Sequence, residues 1–140
     1  MPKVGSFSHR VVLTGLNQGF TNSFSADKYQ QLQLLQAEDE SLTGTTFGGQ
    51  LSFIRVEGTK TADVNSITLM GTSDVNGRKL VLEPTTATLQ PAVDVGASAR
   101  YSAVYKIDIW FNGANDDLFL FIKTNQGTFS LHDVTLIWRE

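Results

Sequence analysis

The fold is decided by residues 101–138, which read YSAVYKIDIWFNGANDDLFLFIKTNQGTFSLHDVTLIW. Three apolar runs are separated by NGANDD at 112–117 and TNQG at 124–127, and Asn, Asp and Gly are the residues that turns favour. In the first run every second residue from Tyr101 to Phe111 is apolar, which is the period of a strand with one buried face. The second run, LFLFIK, is apolar on both faces, as in a covered central strand. The stretch therefore predicts a three-stranded meander.

The third run changes its alternation at His132 and Asp133. Apolar residues before and after this point have opposite parity: Phe129 and Leu131, then Val134, Leu136 and Trp138. One extra residue in the strand would bring both groups onto the same buried face. The sequence therefore predicts a β-bulge at residues 132–133.

Shorter strand signals precede the meander, at 11–16, 29–36, 51–56, 66–70 and 80–82. Between Ala26 and Glu40 a helical period competes with a period of two, and we favour a strand at 29–36. Asn76-Gly77 predicts a hairpin turn between the last two runs. Pro84 and Pro91 bracket a Thr-rich connection, which indicates an edge strand or a loop.

About eight strands without crossover helices predict an all-β protein that folds as a single β-sandwich. A jelly roll is the first choice of topology, and a Greek-key sandwich of immunoglobulin type is the second. Residues 29–140 form the predicted sandwich domain. Residues 1–28, rich in Gly, Ser, Asn and Thr, are predicted to form an extended N-terminal arm.

Composition narrows the classes of function. The 140 residues suit one domain, and the absence of cysteine excludes disulfides, thiolate metal sites and cysteine nucleophiles. A net charge of −3 argues against a basic footprint for nucleic acid or an anionic membrane. The first twenty residues lack the apolar run of a signal peptide, so we expect synthesis in the cytoplasm.

The N-terminal segment contains three phenylalanines without a regular period: Phe7, Phe20 and Phe24. In one interpretation they belong to loops that close the ends of the sandwich. In the other they are anchors that the arm inserts into a neighbouring chain. We carry the second forward as the candidate partner contacts.

No motif of catalysis is present. There is no Gly-x-Ser-x-Gly sequence, and ordinary alternation would point His132 and Asp133 to opposite faces of a strand. His9 has no acidic residue near it in sequence. We therefore expect a protein without enzymatic activity or cofactor. A small hydrolase, with carboxylates gathered in a pocket, is the weakest alternative.

Two further candidate sites have simpler explanations. Asn115, Asp116 and Asp117 could offer oxygen ligands to calcium, but they are also ordinary turn residues. Trp110, with Tyr101 and Tyr105, could stack on sugar rings, although large aromatics more often pack in a core. We expect no metal, and we keep glycan stacking as the alternative function.

The run GTFSLHDVTLIW at 127–138 resembles the closing strand of jelly-roll carbohydrate-binding modules, which supports the same fold. The layout of the whole chain, an arm with Phe7, Phe20 and Phe24 before a sandwich from 29 to 140, resembles capsid decoration or cement proteins of tailed bacteriophages. This second resemblance implies a structural subunit of the virion, made in the cytoplasm of the host cell, that forms a homo-oligomer such as a trimer and cross-links neighbours in a capsid or tail. The alternative is a glycan-binding module or a receptor-binding head.

Overall fold

The computed structural model describes residues 8–14, 23–32, 42–43, 49–74, 76–92, 100–111 and 117–139. All regular structure in these ranges is β-strand, which confirms the all-β class. The strands are β1 (Ser8–Thr14), β2 (Ser23–Ser25), β3 (Gln30–Gln31), β4 (Leu42–Thr43), β5 (Gly49–Lys60), β6 (Ser66–Thr72), β7 (Leu80–Thr88), β8 (Gln90–Ala92), β9 (Arg100–Phe111), β10 (Asp117–Thr124) and β11 (Thr128–Arg139). Across the described ranges, no helix is long and apolar enough to cross a membrane.

The strands form two antiparallel sheets. Sheet A has the order β1-β11-β5-β9-β8, and β2 also pairs with β11. Sheet B has the order β3-β10-β6-β7, and β4 also pairs with β10. The predicted meander is therefore divided: β9 and β11 lie in sheet A, whereas β10 lies in sheet B. The runs at 101–111, 118–123 and 128–138 are strands as predicted, but they are not neighbours in one sheet.

The pairing is nested from the chain ends inward. The first strands, β1 and β2, pair with the last strand, β11, and β3 and β4 pair with β10. Further in, β5 pairs with β9, and β6 pairs with β7. This nesting of two sheets is the connectivity of a jelly roll, so the first choice of topology is confirmed.

The core lies between the two sheets and consists mainly of Leu, Ile and Val side chains that alternate along the strands. Ile54 and Val56 contribute from sheet A, and Ile67 and Leu69 from sheet B, all of them fully buried. The Tyr105 hydroxyl donates a hydrogen bond of 2.5 Å to the Ile67 carbonyl, which joins the two sheets. Burial raises the pKa of this phenol well above its ordinary value.

The predicted β-bulge is confirmed. Leu131 pairs with Gly58 and Asp133 pairs with Glu57, so His132 is the extra residue. Leu131 and Val134 are both buried, as the parity change required. The bulge thus keeps both halves of β11 packed against the core.

Both prolines lie in edge strands, as predicted. Pro84 belongs to β7, at the edge of sheet B, and falls where the register passes from Thr85 opposite Leu69 to Leu82 opposite Gly71. Pro91 belongs to β8, at the edge of sheet A. Because proline cannot donate to a ladder, an edge or an irregularity in register is where a strand tolerates it.

Described parts of the N-terminal segment pair within this chain. β1 pairs with β11 along its whole length, and Phe24 of β2 lies opposite Phe129. The Phe24 side chain is only 2% exposed. This corrects the interpretation of Phe24 as a partner contact, because a ring in the core of its own chain has no surface to offer. Phe7 and Phe20 lie outside the described residues, and the domain boundary at residue 28 stays a prediction.

Candidate functional site

The outer face of sheet A is the face of β5, β9 and β11 that points away from the core. Because Ile54 and Val56 point inward, the alternating residues Phe53, Arg55 and Glu57 point outward. In the same way, Thr135 and Ile137 of β11 lie next to Arg55 and Phe53 in the register. Strand alternation therefore gathers these side chains on one side of the sheet.

The middle of this face is apolar and concave. A depression of about 420 Å³ is lined by Phe53, Arg55, Val104, Thr135 and Ile137. Val104 is 47% exposed, and Phe53 and Ile137 are only partly buried. The outward face of an antiparallel sheet is ordinarily polar, so apolar groups at its centre are the feature that requires an explanation.

A row of charges borders the depression. Glu57 and Asp133 face each other on neighbouring strands, an arrangement that repulsion would destabilise without a counter-charge. The Arg100 Nη1 atom lies 3.4 Å from Glu57 Oε2 and 3.1 Å from Asp133 Oδ2. Arg55 forms a second ion pair with Glu57. The two guanidinium groups therefore balance the two carboxylates.

The bulge places a histidine beside this row. His132 Nε2 lies 3.5 Å from the hydroxyl oxygen of Thr59, which alternates with Glu57 along β5 and therefore shares its outer face. Asp133, paired with Glu57, lies on that face as well. Ordinary alternation would separate His132 from Asp133, and the extra residue is what brings both to the same face.

Lys106 adds a positive charge at the opposite border. It is exposed and lies next to Phe53 in the register of β9 with β5. Within the ranges that the structure describes, Lys106 has no ion-pair partner. Among the described side chains, the depression thus has an unpaired ammonium group on one side and a balanced ionic row on the other.

The glycan-stacking residues are not brought together on a surface. Tyr105 is 1% exposed, which corrects its interpretation as a stacking ring, since its faces pack in the core. Tyr101 is partly buried, and the Lys60 ammonium nitrogen lies 4.5 Å from its ring centroid. Trp110 pairs with Gln50 through the backbone, and its side chain lies outside the described part of the chain.

No group of three or more His, Asp or Glu side chains suited to a metal ion occurs among the described residues. Asn115 and Asp116 lie outside them. Asp117 begins β10 and pairs with Thr43, but its side chain is not described. The weak calcium candidates therefore stay a prediction.

Sequence reasoning missed the outer face of sheet A. The alternation from Tyr101 to Phe111 implies that Val104 and Lys106 lie on the side of β9 away from the core, as observed, but no such pattern marks Phe53 or Ile137 as outward residues. Their signal is that each stands directly beside a buried apolar neighbour, Phe53 before Ile54 and Ile137 after Leu136. An apolar pair within an alternating strand indicates that both faces carry apolar surface.

Comparison with known proteins is sparse. No protein-family model matches the chain, and no curated protein matches it. A solved structure described as Eiger TNF from S. frugiperda is 13% identical, covers 95% of this chain and 92% of its own, and superposes with a TM-score of 0.45. A likeness of this degree identifies neither a family nor a function.

Proposed function

We propose that this protein is a non-enzymatic assembly subunit that binds neighbouring protein subunits through the outer face of sheet A. The observation that carries the proposal is the apolar depression of Phe53, Val104 and Ile137 at the centre of that face. An apolar centre with a charged rim is the ordinary anatomy of a protein–protein interface, and arginine is enriched there.

The size of the face suits a stable contact. Strands β5, β9 and β11 have 12 residues each. At about 3.3 Å per residue and about 4.8 Å between strands they span about 600 Å² of sheet. A standard interface buries about 800 Å² on each partner, so this face with its margins would be sufficient.

The charges on this face define the complementary surface. Lys106 has no counter-ion among the described residues, and Arg55 keeps donors beyond its single bond to Glu57. A partner that inserts an apolar side chain into the depression and places carboxylates beside it would satisfy both cations. Electrostatic complementarity of this kind governs the choice of partner and its rate of association.

The finer assignment is a capsid decoration or cement protein, or a tail accessory subunit, of a virus. It rests on the resemblance in layout and on the outer face of sheet A, which we call the contact face. In such an assembly the partners are other copies of this chain, forming a homo-oligomer such as a trimer, and the larger shell beneath them. Many copies would make weak single contacts strong through effective concentration.

A pair of matched substitutions tests the contact face. Val104→Glu puts a charge at the edge of the depression. Val81→Glu puts a charge on β7 of sheet B instead, at a valine of nearly equal exposure, 48% against 47%. We expect the wild type to self-associate in light scattering over a concentration series. The Val104 variant should weaken that association about tenfold or more, and the Val81 variant should not.

A wild-type chain that stays monomeric throughout the series would contradict self-assembly, and equal effects of the two variants would contradict the location of the face. The viral assignment has a separate test. Purified virions of the virus whose genome encodes this chain should yield its peptides in stoichiometric amounts by mass spectrometry. Their absence would overturn the viral role and leave the contact face standing.

A further inference from the structure

The loop between β6 and β7 has a firmly bonded base. Asp74 Oδ1 accepts hydrogen bonds from the backbone N–H groups of Arg78, at 2.9 Å, and Lys79, at 2.7 Å. Ser73 N–H donates to the Lys79 carbonyl at 2.9 Å. The two ends of loop 73–79, in which Val75 alone is not described, are therefore held in place.

The tip of the same loop is much less constrained. Asn76 is exposed, and no described residue forms a hydrogen bond with its side chain. Gly77 has a φ of +74°, and its amide donates only a long bond of 3.3 Å to the Asp74 carbonyl. Because Gly77 has no Cβ, it has no side chain of its own to shield its amide nitrogen from the preceding side chain.

We propose that Asn76 and Gly77 form a site of spontaneous backbone modification, at which the Asn76 side chain deamidates through a cyclic imide. The Gly77 amide nitrogen attacks Cγ of Asn76 and forms a new N–C bond. The Cγ–Nδ2 bond breaks, and ammonia leaves with the proton from Gly77. Water then opens either carbonyl of the imide and yields aspartate or isoaspartate.

The neighbouring charges favour the attacking species. The nucleophile is the deprotonated amide, and Arg78 and Lys79 follow Gly77 directly in the chain. Two adjacent cations lower the free energy of a nearby anion. The reaction should accelerate as the pH rises, because each increment of hydroxide increases the deprotonated fraction.

Two other asparagines serve as internal references. The Asn125 side-chain oxygen accepts bonds from the N–H groups of Asn65 and Ser66, at 2.8 and 3.2 Å, and its successor is Gln126. The bond from Ser66 also occupies the amide that would attack Asn65. The Asn125 side chain and the amide that follows Asn65 are therefore both engaged, and neither asparagine is followed by glycine. The Asn76 side chain has no described partner and is followed by Gly77, so the structure ranks Asn76 as the fastest of the three.

The modification would alter the packing of the loop against an apolar cluster on the outer face of sheet B. This satellite cluster consists of Met70, Phe119 and Phe121, each at most 9% exposed, with Tyr29 packed against it. A methyl group built on Gly77 would lie 3.5 Å from Met70 Cε and 3.7 Å from the Phe121 ring. Isoaspartate lengthens the backbone at this contact, so we expect it to loosen the cover of the cluster.

Ageing of the intact protein at 37 °C, at several pH values, tests the proposal. Trypsin should release residues 61–78 and 124–139, which carry Asn76 and Asn125 on separate peptides. Fragmentation spectra should show the exchange of NH₂ for OH at Asn76, faster than at Asn65 or Asn125 and increasing with pH. The aged protein should also exchange the amides of 117–122 faster than fresh protein.

Asn76→Gln is the control, because its longer side chain closes the imide ring far more slowly while the loop base is unchanged. This variant should age without modification at position 76 and without faster amide exchange. The proposal is overturned if Asn76 is modified no faster than Asn125, or if its rate does not depend on pH. It does not depend on the outer face of sheet A and stands or falls apart from it.

Discussion

At the scale of single residues, Tyr105 shows how one hydroxyl joins the two layers of the sandwich. It is 1% exposed and donates to the Ile67 carbonyl of the opposite sheet. Tyr105→Phe keeps the ring and removes the donor, so we expect a loss of about 1–2 kcal/mol in the free energy of unfolding. Urea denaturation measures this, and Tyr101→Phe, on a partly buried ring whose hydroxyl bonds no described residue, should change it less.

The same phenol predicts a pH dependence. Its pKa is raised from 10.0 in the folded state, so above that pH the unfolded chain loses a proton that the folded chain retains. The contribution of the Tyr105 phenol to the free energy of unfolding is therefore fully present below pH 10 and falls as the pH rises beyond it. Tyr105→Phe should reduce this alkaline fall, and an unchanged slope would show that the hydroxyl is not buried as described.

At the scale of elements, β11 shows what alternation can predict. The parity change between Leu131 and Val134 located the bulge from the sequence alone, because two buried faces of opposite parity need one extra residue. The short strands β2, β4 and β8 gave no such signal, since two or three residues cannot display a period, and β3 lies in the predicted run 29–36, where two periods compete. Their positions come from pairing with longer strands.

The bulge also predicts that His132 is dispensable to the fold. Without it, the side chains would point inward at Leu131, outward at Asp133 and inward at Val134. Both halves of β11 would therefore keep their register. Deleting Thr135 instead would turn Leu136 out of the core. We expect the His132 deletion to keep a cooperative thermal transition and native circular dichroism, and the Thr135 deletion to abolish both. Equal loss in both variants would contradict this account.

At the scale of the whole molecule, local patterns predicted the class and the jelly roll, but not which strands are neighbours. The runs 101–111 and 118–123 look like adjacent strands in the sequence, yet β9 pairs with β5 and β10 pairs with β6. Nested pairing joins residues far apart in the chain, and periodicity within a strand contains no information about a distant partner. The contact face could not be predicted for the same reason, because Phe53 and Ile137 meet only through the register of β5 and β11.

The place of the N-terminal segment in the molecule leads to the last prediction. Phe24 packs in the core opposite Phe129, whereas residues 1–22 contribute to the described sheet only through the edge strand β1. Phe24→Ala should therefore cost about 3–5 kcal/mol of unfolding free energy, as for other buried phenylalanines. Removing residues 1–22 should cost less, since an edge strand pairs on one side alone. Urea titration of the two variants compares them directly, and a truncation more harmful than Phe24→Ala would mean that the first 22 residues belong to the sandwich as fully as Phe24 does.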